Sequence, residues 1–267
     1  MNRIRSGDAE IVYASFGDGP PVVLLHPFPA DHEFWMPASQ FLESRYRILV
    51  PDLRAHGESE AGEGPATMDK HAYDLVRVLD DAHVGPSIFA GVSIGGYILF
   101  EFWRHFRDRV AGLVLCCTRP QADTPEARNT RLQTADQVLE RGTEWFADLM
   151  LPELIGQTTR EARPDLVNGA KRMMLKMSPM DIAQVQHGMA ARPDSVPTLK
   201  TIDVPTLLLL GEEDPIATLA DGELMRQNIS GSRLSVLPKA GHFAAWEQPE
   251  AVGKLLRQFA DASQKER

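Results

Sequence analysis

The chain has 267 residues, 43% hydrophobic and 24% charged, with a formal net charge of −9 at pH 7. This length and balance fit a globular chain large enough for one big domain, or one domain carrying an insertion. The acidic balance argues against nucleic acid or an anionic membrane as partner, because both select basic surface.

No apolar run approaches the length of a membrane span, and the start, Met1 to Asp8, lacks the apolar core of a signal peptide. Cys116 and Cys117 are adjacent and poorly placed to bond to each other, so both are expected as reduced thiols in a cytoplasmic protein. The eight histidines are scattered, without Cys-x-x-Cys or His-Glu-x-x-His spacing. No metal and no cofactor are expected.

Glu10 to Phe16 reads as a strand closed by the turn Gly17-Asp18-Gly19-Pro20. Pro21 to Leu25 is continuously apolar, as in a parallel strand buried on both faces, and ends in His26-Pro27-Phe28-Pro29. A short helix is predicted over Trp35 to Leu42 and a strand over Tyr46 to Val50. From Thr67, apolar residues recur at three and four, predicting a helix with Thr67 as N-cap. Ser87 to Ala90 leads through Gly91-Val92-Ser93-Ile94-Gly95-Gly96 into a helix, and Val110 to Cys117 forms another buried strand. Strand and helix alternate to this point, which predicts a parallel, doubly wound sheet.

The pattern changes at Thr118. Between Asp123 and Ala191 amphipathic helices replace strands, opened at Thr124-Pro125, Gly142-Thr143, Pro164 and Ser178-Pro179. Most methionines of this block are expected as core filler. The sheet resumes at Val204 to Leu210, followed by a helix over Leu219 to Asn228 and the strand Arg233 to Leu237. A last helix runs from Pro249 to Phe259.

Gly91-Val92-Ser93-Ile94-Gly95 has the Gly-x-Ser-x-Gly form of a nucleophile elbow, a strand-to-helix turn that presents the serine hydroxyl at the sheet edge. A serine hydroxyl needs a base within hydrogen-bond reach, itself oriented by a carboxylate. Asp214 and His242 each follow a late sheet strand on the same edge as Ser93. The order Ser93, Asp214, His242 suits a triad, with Glu212 or Glu213 replacing Asp214 only if that loop is shifted. Two fixed donors are needed for the oxyanion: the N–H of Ile94, and one from the loop after His26, where Pro27 and Pro29 leave Phe28. His26 is expected to anchor that loop rather than act as a base.

Together, His26-Pro27-Phe28-Pro29, Pro51-Asp52-Leu53-Arg54, Gly91 to Tyr97, Gly211-Glu212-Glu213-Asp214 and Ala240-Gly241-His242 resemble the α/β-hydrolase superfamily over essentially the whole chain. Thr118 to Arg128 and Met189 to Ser195 are similar to its capped branch of bacterial carboxylesterases and 3-oxoadipate enol-lactonase-like proteins. The resemblance implies an α/β fold, a mostly parallel, doubly wound sheet with an inserted helical cap. The core would be residues 1–118 and 197–267, and the cap residues 119–196. It also implies that Asp52 and Arg54 are structural. Two departures stand out: His26-Pro27 where the family usually has His-Gly, and Arg54-Ala55-His56-Gly57 where it has Arg-Gly-His-Gly.

The resulting expectation is a cofactor-free carboxylesterase acting on small or short-chain acyl esters through an acyl-enzyme. The runner-up is an enol-lactonase acting on a cyclic ester that carries a carboxylate, for which Arg119, Arg128, Lys171 and Arg172 are candidate cations. A non-catalytic ligand-binding protein on the same fold is the third reading, disfavoured by an intact set of three triad residues.

Overall fold

The computed structural model describes residues 1–265. It begins with an antiparallel hairpin, β1 (Asn2–Ser6) and β2 (Ala9–Phe16). β1 has no apolar run to announce it: its residues are mostly exposed, and only Ser6 is buried. β3 (Pro21–Leu25) leads through a 3-10 turn, His32–Trp35, into the single turn α1 (Met36–Ser39). This is shorter than the helix expected over 35–42, because Phe41 and Leu42 N–H turn back to the Ala38 and Ser39 carbonyls three residues earlier. β4 (Arg47–Pro51) follows, pairing antiparallel with β2 and parallel with β3. The sheet is therefore parallel only beyond its first two strands.

α2 (Met68–Asp81) is capped as expected by Thr67, whose hydroxyl accepts from Lys70 N–H at 3.3 Å. Then come β5 (Ser87–Val92), α3 (Ile94–Phe106) and β6 (Val110–Cys116). Helices fill the chain up to the next strand: α4 (Pro125–Leu154), α5 (Gln157–Ala162), α6 (Pro164–Met174), α7 (Pro179–Ala190) and the single turn α8 (Val196–Leu199). α4 is broken at Gly142, with φ 83° and ψ 171°, where the sequence predicted a new helix. Ser178 and Asp181 form a reciprocal cap on α7. β7 (Thr206–Gly211), α9 (Leu219–Asn228), β8 (Arg233–Leu237), α10 (Ala244–Glu247) and α11 (Pro249–Lys265) complete the chain.

The eight strands are ordered β1-β2-β4-β3-β5-β6-β7-β8. Side chains alternate across a strand, so one continuous apolar run feeds two cores. Val22 and Leu24 pack in the cluster with Trp35, Phe34 and Phe243, while Val23 and Leu25 pack in the cluster with Phe89, Phe100 and Phe102. The buried methionines Met173 and Met174 join the first cluster and Met177 and Met189 the second.

Register positions the functional edge. Leu25 pairs with Gly91, Val92 with Cys116, Cys116 with Leu209, and Gly211 with Leu237. The loops after β3, β5, β7 and β8 thus leave from one edge of the sheet.

Candidate active site

Ser93 occupies the one residue between β5 and α3, with φ 55° and ψ −112°. A non-glycine residue held at positive φ costs about 1–3 kcal/mol and persists where its surroundings over-determine it. Here Ser93 N–H donates to Cys116 O at 3.0 Å, and Ser93 O accepts from Gly96 N–H at 2.9 Å and Thr118 Oγ1 at 2.8 Å. The turn leaves no room for a larger residue at 96, since a Cβ there would sit 2.4 Å from Thr118 Oγ1. Ser93 is 8% exposed.

His242, buried between β8 and α10, donates from Nδ1 to Asp214 Oδ2 at 2.8 Å. The other carboxylate oxygen of Asp214 accepts from Ile216 N–H at 2.8 Å and Ala217 N–H at 3.0 Å. Burial opposes ionisation of Asp214, but the His242 charge and hydrogen bond and the two amides outweigh it and lower its pKa. The two loops are joined through backbone: Glu213 N–H donates to Ala240 O at 2.8 Å. Glu212 and Glu213 face other partners, Lys239 N–H and Thr158, so Asp214 alone of the three carboxylates meets His242. Among the described residues Ser93 Oγ makes no hydrogen bond to the imidazole in this conformation; such bonds often tighten only when substrate is bound.

The loop after β3 is held by His26. Leu53 N–H donates to its Nε2 at 2.9 Å, and its Nδ1 donates to Pro27 O at 2.9 Å. Both ring nitrogens are therefore used with one proton between them, and burial depresses the pKa to about 4. His26 anchors and does not accept a substrate proton. Ala30 N–H also donates to Pro27 O, at 3.0 Å. Phe28 is packed against Phe146 of α4 and His56, with ring centroids 5.6 and 5.7 Å away. Among the described residues, neither the Phe28 nor the Ile94 amide donates to another protein group.

Behind this loop, Asp52 accepts from His32 N–H and ring Nδ1–H at 2.7 and 2.9 Å and from Glu58 N–H at 3.0 Å. Arg54 is buried and grips Asp74 with two bonds, at 2.9 and 2.8 Å, and Asp8 with another at 2.6 Å. Both residues brace the fold through these bonds.

The candidate cations separate. Arg128 and Arg172 are exposed, and Lys171 bonds to Asp148 at the surface. Arg119 instead joins a group the sequence did not reveal: the side chain of Asp123 is 1% exposed and pairs with Arg119, Arg131 and Arg192 at 3.3, 2.6 and 2.7 Å. Arg192 lies 4.3 Å over the Tyr97 ring, one helical turn beyond Ser93. Three guanidiniums around one carboxylate leave a local excess of positive charge. Elsewhere, Asp69, Glu101 and His105 bring donor atoms within 4.8 Å of one another. His105 is about 18 Å along α3 from Ser93, and Glu101 already pairs with Arg104.

The alpha/beta hydrolase fold family profile matches residues 20–249. A thermophilic esterase from Thermogutta terrifontis, solved with malate bound, superposes with a TM-score of 0.95 at 36% identity, covering 98% of this chain and 99% of that one. An enol-lactonase from Burkholderia xenovorans superposes with a TM-score of 0.90 at 26% identity, covering 97% of this chain and all of that one. In sequence, 3-oxoadipate enol-lactonase 2 of Acinetobacter baylyi is 28% identical over 262 residues, 95% of this chain and 94% of that protein. No helix among the described residues is long and apolar enough to cross a membrane. The family match and the near-complete structural agreement lead to one conclusion: the chain belongs to the alpha/beta hydrolase fold family.

Proposed function

We propose that this protein is a serine hydrolase of carboxylic esters, with Ser93 as nucleophile, His242 as base and Asp214 as its orienting carboxylate. The observation that carries this reading is the pairing of an elbow serine at positive φ with a buried His242–Asp214 hydrogen bond on the same sheet edge. His242 Nε2 takes the hydroxyl proton as Ser93 Oγ attacks the ester carbonyl, and Asp214 steadies the imidazolium. The oxyanion is received by the Phe28 and Ile94 amides, whose freedom from protein acceptors supports that role. His242 then protonates the leaving alcohol. Water, deprotonated by the same imidazole, attacks the acyl-enzyme; the bond from the acyl carbon to Ser93 Oγ breaks, the imidazolium returns the proton to Ser93 Oγ, and the acid is released.

In this reading residues 119–196 form a cap over a core of residues 1–118 and 197–267. Its support is the contact of residues in this insertion with the segment after β3: Phe146 on Phe28, and Lys176 on Asp31 and Glu33 at 2.7 and 2.9 Å. The esterase and enol-lactonase relatives favour an ester or lactone as substrate.

A second reading, hydrolysis of a lactone that carries a carboxylate, is favoured by the arginine cluster beside Tyr97. The dicarboxylate malate bound to the Thermogutta relative points the same way. The experiment is a rate profile over p-nitrophenyl esters of increasing chain length beside an enol-lactone bearing a carboxylate, with Ser93 occupancy read by fluorophosphonate labelling. Turnover of the short esters with a labelled Ser93 supports the esterase; a lactone kcat/KM well above every ester favours the second reading. No turnover and no label would defeat both.

A further inference from the structure

Glu247 has no part in the proposed chemistry, yet its carboxylate is buried in α10, the turn that follows His242. Oε1 accepts from Gly241 N–H at 3.0 Å and Oε2 from Gly156 N–H at 3.1 Å. Burial raises the pKa of this carboxyl above the usual range, so the site holds an acid where ionisation is costly. Gly241 is the residue before His242, and Gly156 is the N-cap of α5 in the helical insertion. On the other side of His242, Phe243 N–H donates to Leu154 O at 2.8 Å. The residues before and after the base are thus both tied to the stretch 154–156, Gly241 through the Glu247 carboxylate and Phe243 directly.

The neighbour of Asp214 makes a matching contact. Thr158 N–H donates to Glu213 Oε2 at 2.8 Å, and the Thr158 hydroxyl donates to the other oxygen. The start of α5 is therefore gripped by two carboxylates, Glu213 beside Asp214 and Glu247 in the turn that follows His242. The approach is close: a Cβ on Gly241 would lie 2.2 Å from Gly156 N, and one on Gly156 would lie 2.7 Å from Gly241 N and 3.0 Å from Glu247 Oε2. Gly156 has φ −58° and ψ 149°, which any residue adopts. Its missing side chain serves the close approach and not the backbone conformation.

We propose that Glu247 is a positioning residue for His242, fastening the loop that carries the base to the helical insertion so that the base is in place only when the insertion is seated. The proposal rests on the reading of Ser93, His242 and Asp214 as the triad. A residue that merely stabilised the fold would lower the melting temperature and leave the kinetics of the folded protein alone. A positioning residue changes kcat, because a small displacement of a base is felt in the transition state.

The test compares Glu247→Gln and Gly156→Ala with wild type in kcat and KM for p-nitrophenyl acetate, in the rate of Ser93 labelling by a fluorophosphonate, and in thermal unfolding. The folded variants are expected to lose about 10- to 100-fold in kcat and in labelling rate, with KM within about two-fold. Should Glu247→Gln fail to fold, Gly156→Ala delivers the same readouts from the insertion side by adding one methyl group. Unchanged kcat and labelling in a folded variant overturns the proposal, as does a rise in KM alone. Wild-type protein that neither turns over ester nor labels at Ser93 overturns the triad reading itself, and the proposal with it.

Discussion

Acid should destabilise this protein as the pH falls below about 6.5, because three histidines are buried in neutral form. Burial depresses His26 to about 4 and His56 to about 3, and holds His71 well below its ordinary value. Unfolding returns each to an ordinary pKa of about 6.5, so the unfolded chain takes up protons that the folded chain refuses. The sign follows: stability from these groups is complete above about pH 6.5 and is lost as pH falls toward their folded values. Going from about pH 7.5 to about pH 5 costs about 2 kcal/mol for each of His26 and His56, about 4 kcal/mol for the two, and His71 adds to the loss in the same direction. A domain's whole stability is about 5–15 kcal/mol. His32 works in the opposite direction, since its hydrogen bond to Asp52 raises its pKa and offsets part of this loss. The assay is urea unfolding followed by circular dichroism across this pH range. His71 supplies the internal control: among the described residues neither of its ring nitrogens has a partner. His71→Leu should keep or raise stability at about pH 7.5 and lose less of it on acidification than wild type does. An acid loss in His71→Leu equal to that of wild type would refute the reasoning.

Ser93→Ala should abolish ester turnover and fluorophosphonate labelling while leaving the unfolding curve unchanged; residual turnover in the purified variant would point to another nucleophile. Pro27→Gly should loosen the loop that presents the Phe28 amide and lower kcat more than it changes KM, as steady-state kinetics would report. Gly96→Val places a side chain 2.4 Å from Thr118 Oγ1, so it should cost about 1–3 kcal/mol or more in unfolding experiments. Arg131→Met should slow hydrolysis of a carboxylate-bearing lactone relative to a neutral ester if the cluster on Asp123 serves substrate charge. Equal slowing of both substrates would assign Arg131 to structure alone.

How much could be read beforehand follows from where each residue finds its partners. β3, β5, β6 and β7 were legible because a parallel strand buried on both faces must be apolar throughout, and each run ends in turn chemistry. Ser93 and Asp214 were legible as candidates because each sits where such a run stops, and His242 because it follows the last strand in a Gly-His-Phe turn. β1 was not, since an exposed edge strand needs no apolar run. The helices after Thr118 were legible by their openings and by most of their apolar residues, Phe146, Met173, Ile182 and Val185 among those buried, with two exceptions in α4. Leu139 and Leu149 fall at helical spacing and remain 49% and 47% exposed, while Ala135 and Val138 take the buried positions.

The contacts that hold the catalytic loops were illegible for a different reason. Glu247 stands in Trp246-Glu247-Gln248-Pro249, a polar stretch before a helix, and Gly156 and Gly241 read as punctuation. Nothing local distinguishes them. Their significance arises when 91 residues of chain fold back to bring Gly156 N–H to Glu247 Oε2, and when two backbones approach too closely for any Cβ between them. Asp123 is similar: an acidic residue at the start of a helical region looks solvated until Arg119, Arg131 and Arg192 converge on it. Turn chemistry and strand burial are short-range demands on residue type, so they leave a mark in the sequence. The fastening of the loop that carries His242 to a distant segment demands only a small residue and a carboxylate, and those are among the least distinctive residues in any chain.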